Sequence, residues 1–464
     1  NSKAILFVGH AFYNAWYLSR ELRNRGWVAD LVNIDTNNNE AHSNMYHGED
    51  MSFNYTPDDL LFRLNTYLTS LTKYNVFHFS NKGGIYFLRD HQSATKWRRL
   101  SFLLDWFIVN LFIDKTLEQR IDILIKLRLV YAKNNRELTL TRIGFWLYRN
   151  LVGHWLLTKY GDYWDIQLLK LAGKKIGYAN SGCLDGVLKS TFGQWKPFSI
   201  CSICKWNDSP EVCSDSLNAE WGEFRNNVAD YLVTVGSNKA DYNRVSKMFE
   251  SPWFYCLDTV VWNPDILIPS NYILPYSSET VKLYHAVGDF ESRTAASNVN
   301  IKCTHIYLDL IDKFKAEGMP VELIFFHGLP NKIIRYYQLQ ADIVVDMLTY
   351  GFHGANAREA MMLGKPVVCY MRPVWLEEMR KEIPDYVDEL PIVSATPETV
   401  EQILRDLIAD KPKREEIGRK SRAFAVKWHG SDKAAQYFDQ FLSLQLESKA
   451  NKQTVFDIQK KIYT

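Results

Sequence analysis

The stretch ADIVVDMLTYGFHGANAREAMMLGKPVVCY, residues 341–370, reads as a strand, a turn, a helix and a second strand. ADIVVDML is a short apolar run, ANAREAMML is built of good helix formers, Gly364 stops the helix, and KPVVCY returns to strand composition. Gly351 and Gly354 in the turn let the backbone bend tightly and approach a ligand. A helix that begins at such a turn offers unpaired N–H groups and a positive dipole end, which suits a phosphate or a sugar hydroxyl. In open α/β sheets ligands bind at the carboxyl ends of the strands, where this turn falls. Arg358 and Glu359 place a charged pair in the first turn of an otherwise apolar helix. Aimed at a ligand, the carboxylate of Glu359 accepts bonds from both ribose hydroxyls. Facing water, it is a favourable first-turn acid and Arg358 a solvated neighbour. The residues alone leave the two roles open.

The same alternation runs along the whole chain. KAILFVG, VADLVNI, NVFHFS (75–80), GKKIGYAN (173–180) and DYLVTVGSN (230–238) are apolar strands separated by helical runs. Unbroken apolar strands of this kind predict a parallel sheet covered on both faces. A proline-punctuated linker, WNPDILIPSNYILP (262–275), precedes a second alternation that starts at VKLYHAVG. The expected fold class is α/β, with domains at 1–262 and 263–430 and charged helices at 431–464.

With 464 residues, 47% apolar content and a net charge of +2, the chain is an ordinary globular composition with no charge excess that calls for nucleic acid. No apolar run reaches the roughly 20 residues of a membrane span, and no signal-peptide pattern opens the sequence. Seven cysteines, an odd number, fit a reducing compartment, and the expected location is cytoplasmic. A helical insertion at about 94–160 carries eleven Lys/Arg against five Asp/Glu over 96–149. It is either a solvated helical subdomain or a basic surface for an anionic membrane at its inner face and a lipid-linked substrate. Cys183, Cys201, Cys204 and Cys213 lie within one loop, and their number and the C-x-x-C pair have the composition of a structural zinc site. Free structural thiols are the alternative.

GFHGANAREAMMLGKPVV resembles the signature of family-4 retaining glycosyltransferases, enzymes of the GT-B type with two Rossmann-like domains facing a cleft. GHAFYNAWYLSRELRNRGW resembles their first loop and helix, and ADIVVDML the strand before the motif. The resemblance covers most of 1–92, 163–240 and 280–430, and leaves 94–160 unmatched. It implies metal-independent transfer of a hexosyl unit from a UDP- or GDP-type sugar to a glycan or lipid-linked glycan, as in cell-surface polysaccharide synthesis. It implies that Glu359 holds the ribose, and that Lys302 and Arg293 hold the diphosphate. Backbone N–H groups of Gly354, Ala355 and Asn356, with His353, His285, Gly9 and His10, would line the rest of the donor site, and His78 and Asp185 the acceptor side. The family carries a second glutamate eight positions before the first; here that position is Gly351, with Asp346 and His353 as the nearby polar residues. It also carries glycine after its lysine, where this chain has Cys303. Two other readings keep the fold: a nucleotide-sugar epimerase or hydrolase, and a non-catalytic glycan-binding scaffold.

Overall fold

The computed structural model describes residues 2–9, 13–33, 47–52, 69–80, 119, 164–179, 188–210, 212–234, 247–288, 290–295 and 297–463. His10, Cys183, Asp185 and the insertion at 94–160, save Gln119, lie outside the described residues.

Ala4–Val8 (β1) buries every side chain, as a strand covered on both faces must. It pairs in parallel with Val28–Asn33 (β2) on one side and Val76–Phe79 (β4) on the other. Met51–Ser52 (β3), Lys175–Ala179 (β5), Tyr231–Thr234 (β6) and Met248–Glu250 (β7) extend the sheet to the order β3-β2-β1-β4-β5-β6-β7. Strands β3 and β7, of two and three residues, are too short to show a sequence period. The second sheet, in the order β11-β10-β8-β9, is formed by Val281–Val287 (β8), Val321–His327 (β9), Ile343–Val345 (β10) and Val367–Val368 (β11). All its pairings are parallel, so their carboxyl ends share one edge.

The described helices of the first domain are Asn14–Asn24 (α1), Trp164–Leu171 (α2), Lys189–Gly193 (α3) and Asp215–Val228 (α4). Around the second sheet lie Phe290–Arg293 (α5), Thr304–Ala316 (α6), Asn331–Leu339 (α7), Ala355–Met362 (α8), Pro373–Glu382 (α9), Pro384–Asp388 (α10) and Val400–Ala409 (α11). Lys411–His429 (α12), Ser431–Leu446 (α13) and Lys452–Tyr463 (α14) close the chain.

Helix α8 is buried from Ala357 to Met362. It can be so because α12 approaches it with no side chain in the way: a Cβ on Gly418 would stand 2.3 Å from the Gly364 carbonyl oxygen. Arg422 of α12 then donates to the Met362 and Trp262 carbonyls at 2.5 and 2.7 Å, capping α8 and fixing the linker.

The last helices return to the first domain. Asp439 of α13 accepts from Trp27 Nε1 at 2.8 Å and from Lys3 at 2.6 Å, and Phe441 meets Tyr231 edge-on at 5.1 Å. Tyr463 stacks between Trp253 and Trp428, at 4.6 and 5.0 Å between centroids. One apolar cluster therefore runs from β1 and α1 through Trp253 and Trp262 to α8, α12 and α13. Among the described residues no helix is long and apolar enough to cross a membrane.

Candidate functional site

The strand ends of the second sheet, the start of α8 and the start of α6 meet at one point. Gly351 has φ +98° and Gly354 caps α8. A Cβ placed on Gly354 would lie 3.8 Å from Lys302 Nζ and 3.7 Å from Asp346 Oδ2. Lys302 is therefore delivered to the N-terminus of α8. A tight turn sets its position: Asn300 Oδ1 accepts from the Lys302 N–H at 3.0 Å, and Cys303 takes a left-handed φ of +56°. That is a conformation a glycine adopts without cost, and here a cysteine holds it.

Lys302 is paired with Asp346 at 2.5 Å; its side chain is 12% exposed and that of Asp346 is fully buried. Three ammonium protons leave Lys302 free to donate to an anion as well. The other oxygen of Asp346, Oδ2, has no partner among the described residues and faces the Gly354 turn.

The charged pair of α8 splits in two directions. Arg358 sits over the Tyr255 ring, 4.6 Å from its centroid, and braces the first domain. Glu359 accepts from Asn331 Nδ2 at 2.8 Å and Gln338 Nε2 at 3.3 Å, both on α7, and meets Tyr13 from the first domain. Burial pushes its carboxyl up to about 7 against the pull of these donors. The network continues across the cleft. Asn331 Oδ1 can only accept, so His47 Nε2 donates to it at 2.5 Å, and His47 Nδ1 accepts from the Tyr17 hydroxyl at 2.8 Å. Trp262 Nε1 donates to Tyr17 at 3.2 Å. Burial keeps His47 neutral, its pKa pushed down to about 4. Sequence reading missed Tyr13, His47, Asn331 and Gln338; only the position of Asn331, one residue after Pro330 at a helix start, carried a local signal.

The other expected site residues are held in several settings. His285 is fully buried in β8, donating from Nδ1 to the Val345 carbonyl at 3.1 Å and accepting at Nε2 from Thr304 at 2.9 Å, so both nitrogens are spent on the frame of the site. His353 points away from the ligand side: its Nε2 bonds the Tyr386 hydroxyl at 2.8 Å, which also bonds His429 at 3.2 Å, and burial pushes His353 down to about 3. His78 is packed among Phe7, Tyr231 and Phe254 inside the first sheet, with Nδ1 3.0 Å from the Tyr231 hydroxyl, and burial pushes it to about 3. It stands one residue before the end of β4 and is buried, as is every residue of that strand. Arg293 is exposed at the end of α5. Gly9 closes β1 with φ +73°. Asn356 accepts from Gln338 at 2.9 Å, which fixes the entry of α8.

Cys201, Cys204 and Cys213 are free and half-buried. Burial holds the Cys201 thiol above its ordinary range, and the charges of Cys213 and Cys204 add to this, so the three share one neighbourhood. Among the described residues no set of three or more His, Cys, Asp or Glu is arranged to hold a metal. Cys183, the fourth member of the expected set, lies outside the described residues.

No known sequence family matches the chain, and no curated protein is recognisably similar in sequence. By structure it is similar to sucrose-phosphate synthase from Thermosynechococcus elongatus, with a TM-score of 0.50 at 13% identity over 97% of this chain and 100% of that one. HepE from Anabaena, in complex with UDP, aligns with a TM-score of 0.48 at 11% identity over 95% and 99% of the two chains. WaaG, a glycosyltransferase involved in lipopolysaccharide biosynthesis, aligns with a TM-score of 0.43 at 12% identity over 93% and 98%. Two parallel Rossmann-like sheets bridged by C-terminal helices are the GT-B fold, and this chain has it.

Proposed function

We propose that the protein is a glycosyltransferase that binds a nucleoside-diphosphate sugar at the second domain and transfers the sugar to a glycan or lipid-linked glycan. The observation that carries this reading is the convergence of Lys302, the Gly354 cap of α8 and the buried carboxylate of Glu359 on one strand-end edge. A diphosphate needs positive charge that grows in value as it departs, and an ammonium beside a helix N-terminus supplies it. A ribose needs a buried acceptor for its two hydroxyls. Glu359 has about four acceptor positions and three protein donors, so it retains capacity for one and gains a second by releasing an amide.

The test is thermal stabilisation by UDP, GDP, ADP, CMP and dTDP, with Lys302→Ala as control. The proposal expects one diphosphate to raise the melting temperature of the parent and to lose most of that effect in the control. A folded parent that none of the five stabilises contradicts it.

A further inference from the structure

Arg372 follows β11 and immediately precedes α9, at the same strand-end edge as Lys302 and the Gly351–Gly354 turn. It is 9% exposed. Its guanidinium stacks on Trp195, 3.4 Å from the ring centroid. Trp195 comes from the first domain, whose α3 and following loop dock here, with Phe192 6.2 Å from Tyr350 and Phe198 edge-on to Tyr370 at 5.6 Å. The Arg372 N–H donates to the Gly351 carbonyl at 2.8 Å, and a Cβ on Gly351 would stand 2.8 Å from Arg372 Cβ. The turn that caps α8 and the backbone of Arg372 are thus one connected piece.

A buried guanidinium is costly unless acceptors surround it. Among the described residues Nε has no acceptor and no carboxylate forms an ion pair with Arg372. Glu378 of α9 acts on it through its charge alone, with no ion pair. Helix α9 has no acid in its first turn, so its unpaired N–H groups add positive potential at the same place. An aromatic surface on one side and an uncommitted planar fork on the other suit a planar anion.

We propose that Arg372, backed by Trp195, binds the carboxylate of an acidic sugar, a uronate, carried by the nucleotide donor. This deepens, and rests on, the donor-site reading above. The donor is favoured as the source because Arg372 is bonded to the same 351–354 turn that presents the α8 N-terminus to the diphosphate.

Calorimetric affinities for UDP-glucuronate against UDP-glucose, and GDP-mannuronate against GDP-mannose, test it in the parent, Arg372→Gln and Arg372→Lys, with bare UDP and GDP alongside. The expected result is a uronate preference of about tenfold or more in one pair, as a charge-assisted bond gives. That preference should vanish in Arg372→Gln and survive in part in Arg372→Lys. Equal affinities for uronate and neutral sugar in the parent overturn the proposal while leaving the donor site intact. An Arg372→Gln loss that is as large for the bare diphosphate also overturns it, since Arg372 would then hold phosphate. Methyl glucuronide binding in the presence of bare diphosphate, lost in Arg372→Gln, would move the acidic unit to the acceptor and overturn the donor assignment. Failure of every diphosphate to bind removes the underlying function reading first.

Discussion

Glu359 carries two demands that pull against each other. In the proposed donor site it must be ionised to accept two ribose hydroxyls, yet burial raises its carboxyl to about 7. The affinity for the nucleoside diphosphate should therefore tighten about tenfold between about pH 6 and pH 8, following the ionised fraction, and Glu359→Gln should be weak and flat over that range. The stability effect has the opposite sign. The folded carboxyl holds its proton more tightly than the unfolded one at 4.5, so its contribution is full below 4.5 and is lost as pH rises to about 7. Glu359→Gln should accordingly melt higher than the parent at pH 8 and show a smaller gain at pH 5. Gly351 makes a second residue-level prediction. Its φ of +98° and the Arg372 Cβ 2.8 Å from where a side chain would start make Gly351→Ala cost about 1–3 kcal/mol in chemical denaturation. This also explains in physical terms why no glutamate stands at that position. Glu359 and Lys302 could be proposed from the sequence because residue type and spacing beside a glycine turn point to them. His78, His285 and His353 are buried, and a histidine near a strand end and a histidine inside a core look alike in sequence until the pleat and the partners are known.

Among the elements, α8 is positioned by what is missing from its neighbour. Gly418→Ala would drive a Cβ to 2.3 Å from the Gly364 carbonyl, a backbone atom that cannot step aside. Separation of α8 from α12 should cost about 1–3 kcal/mol and should also weaken diphosphate binding, since Glu359 rides on α8. Lys420→Ala, on the exposed side of α12, is the control and should leave both unchanged. The long apolar strands and the glycine-closed helices were readable from period and punctuation alone. The very short β3 and β7 were not, because their pairing comes from the sheet they border rather than from their own residues.

At the scale of the molecule, the domains meet where Trp195 and Phe198 dock on Arg372 and Tyr370 and where Arg358 covers Tyr255, and two longer ties join them as well. One is polar, running from Trp262 and Tyr17 through His47 to Asn331 and Glu359. The other is apolar, the stack of Trp253, Tyr463 and Trp428 with the packing of α13 on α1 and β6. Removing the tail is therefore not a trim: Tyr463→Ala opens a fully enclosed aromatic stack and should cost about 3–5 kcal/mol, read as a lower denaturation midpoint. Neither tie has a sequence signature, because each pairs residues hundreds of positions apart. The polar tie ends on the carboxylate assigned to the ribose, so binding and domain contact meet at one group. The most direct test is calorimetric binding of the preferred nucleoside diphosphate and its 2′,3′-dideoxy counterpart to the parent and to Glu359→Gln. The account predicts a loss of about tenfold or more for the dideoxy form in the parent, and no difference between the two forms in Glu359→Gln. Equal binding of both forms by the parent would contradict it.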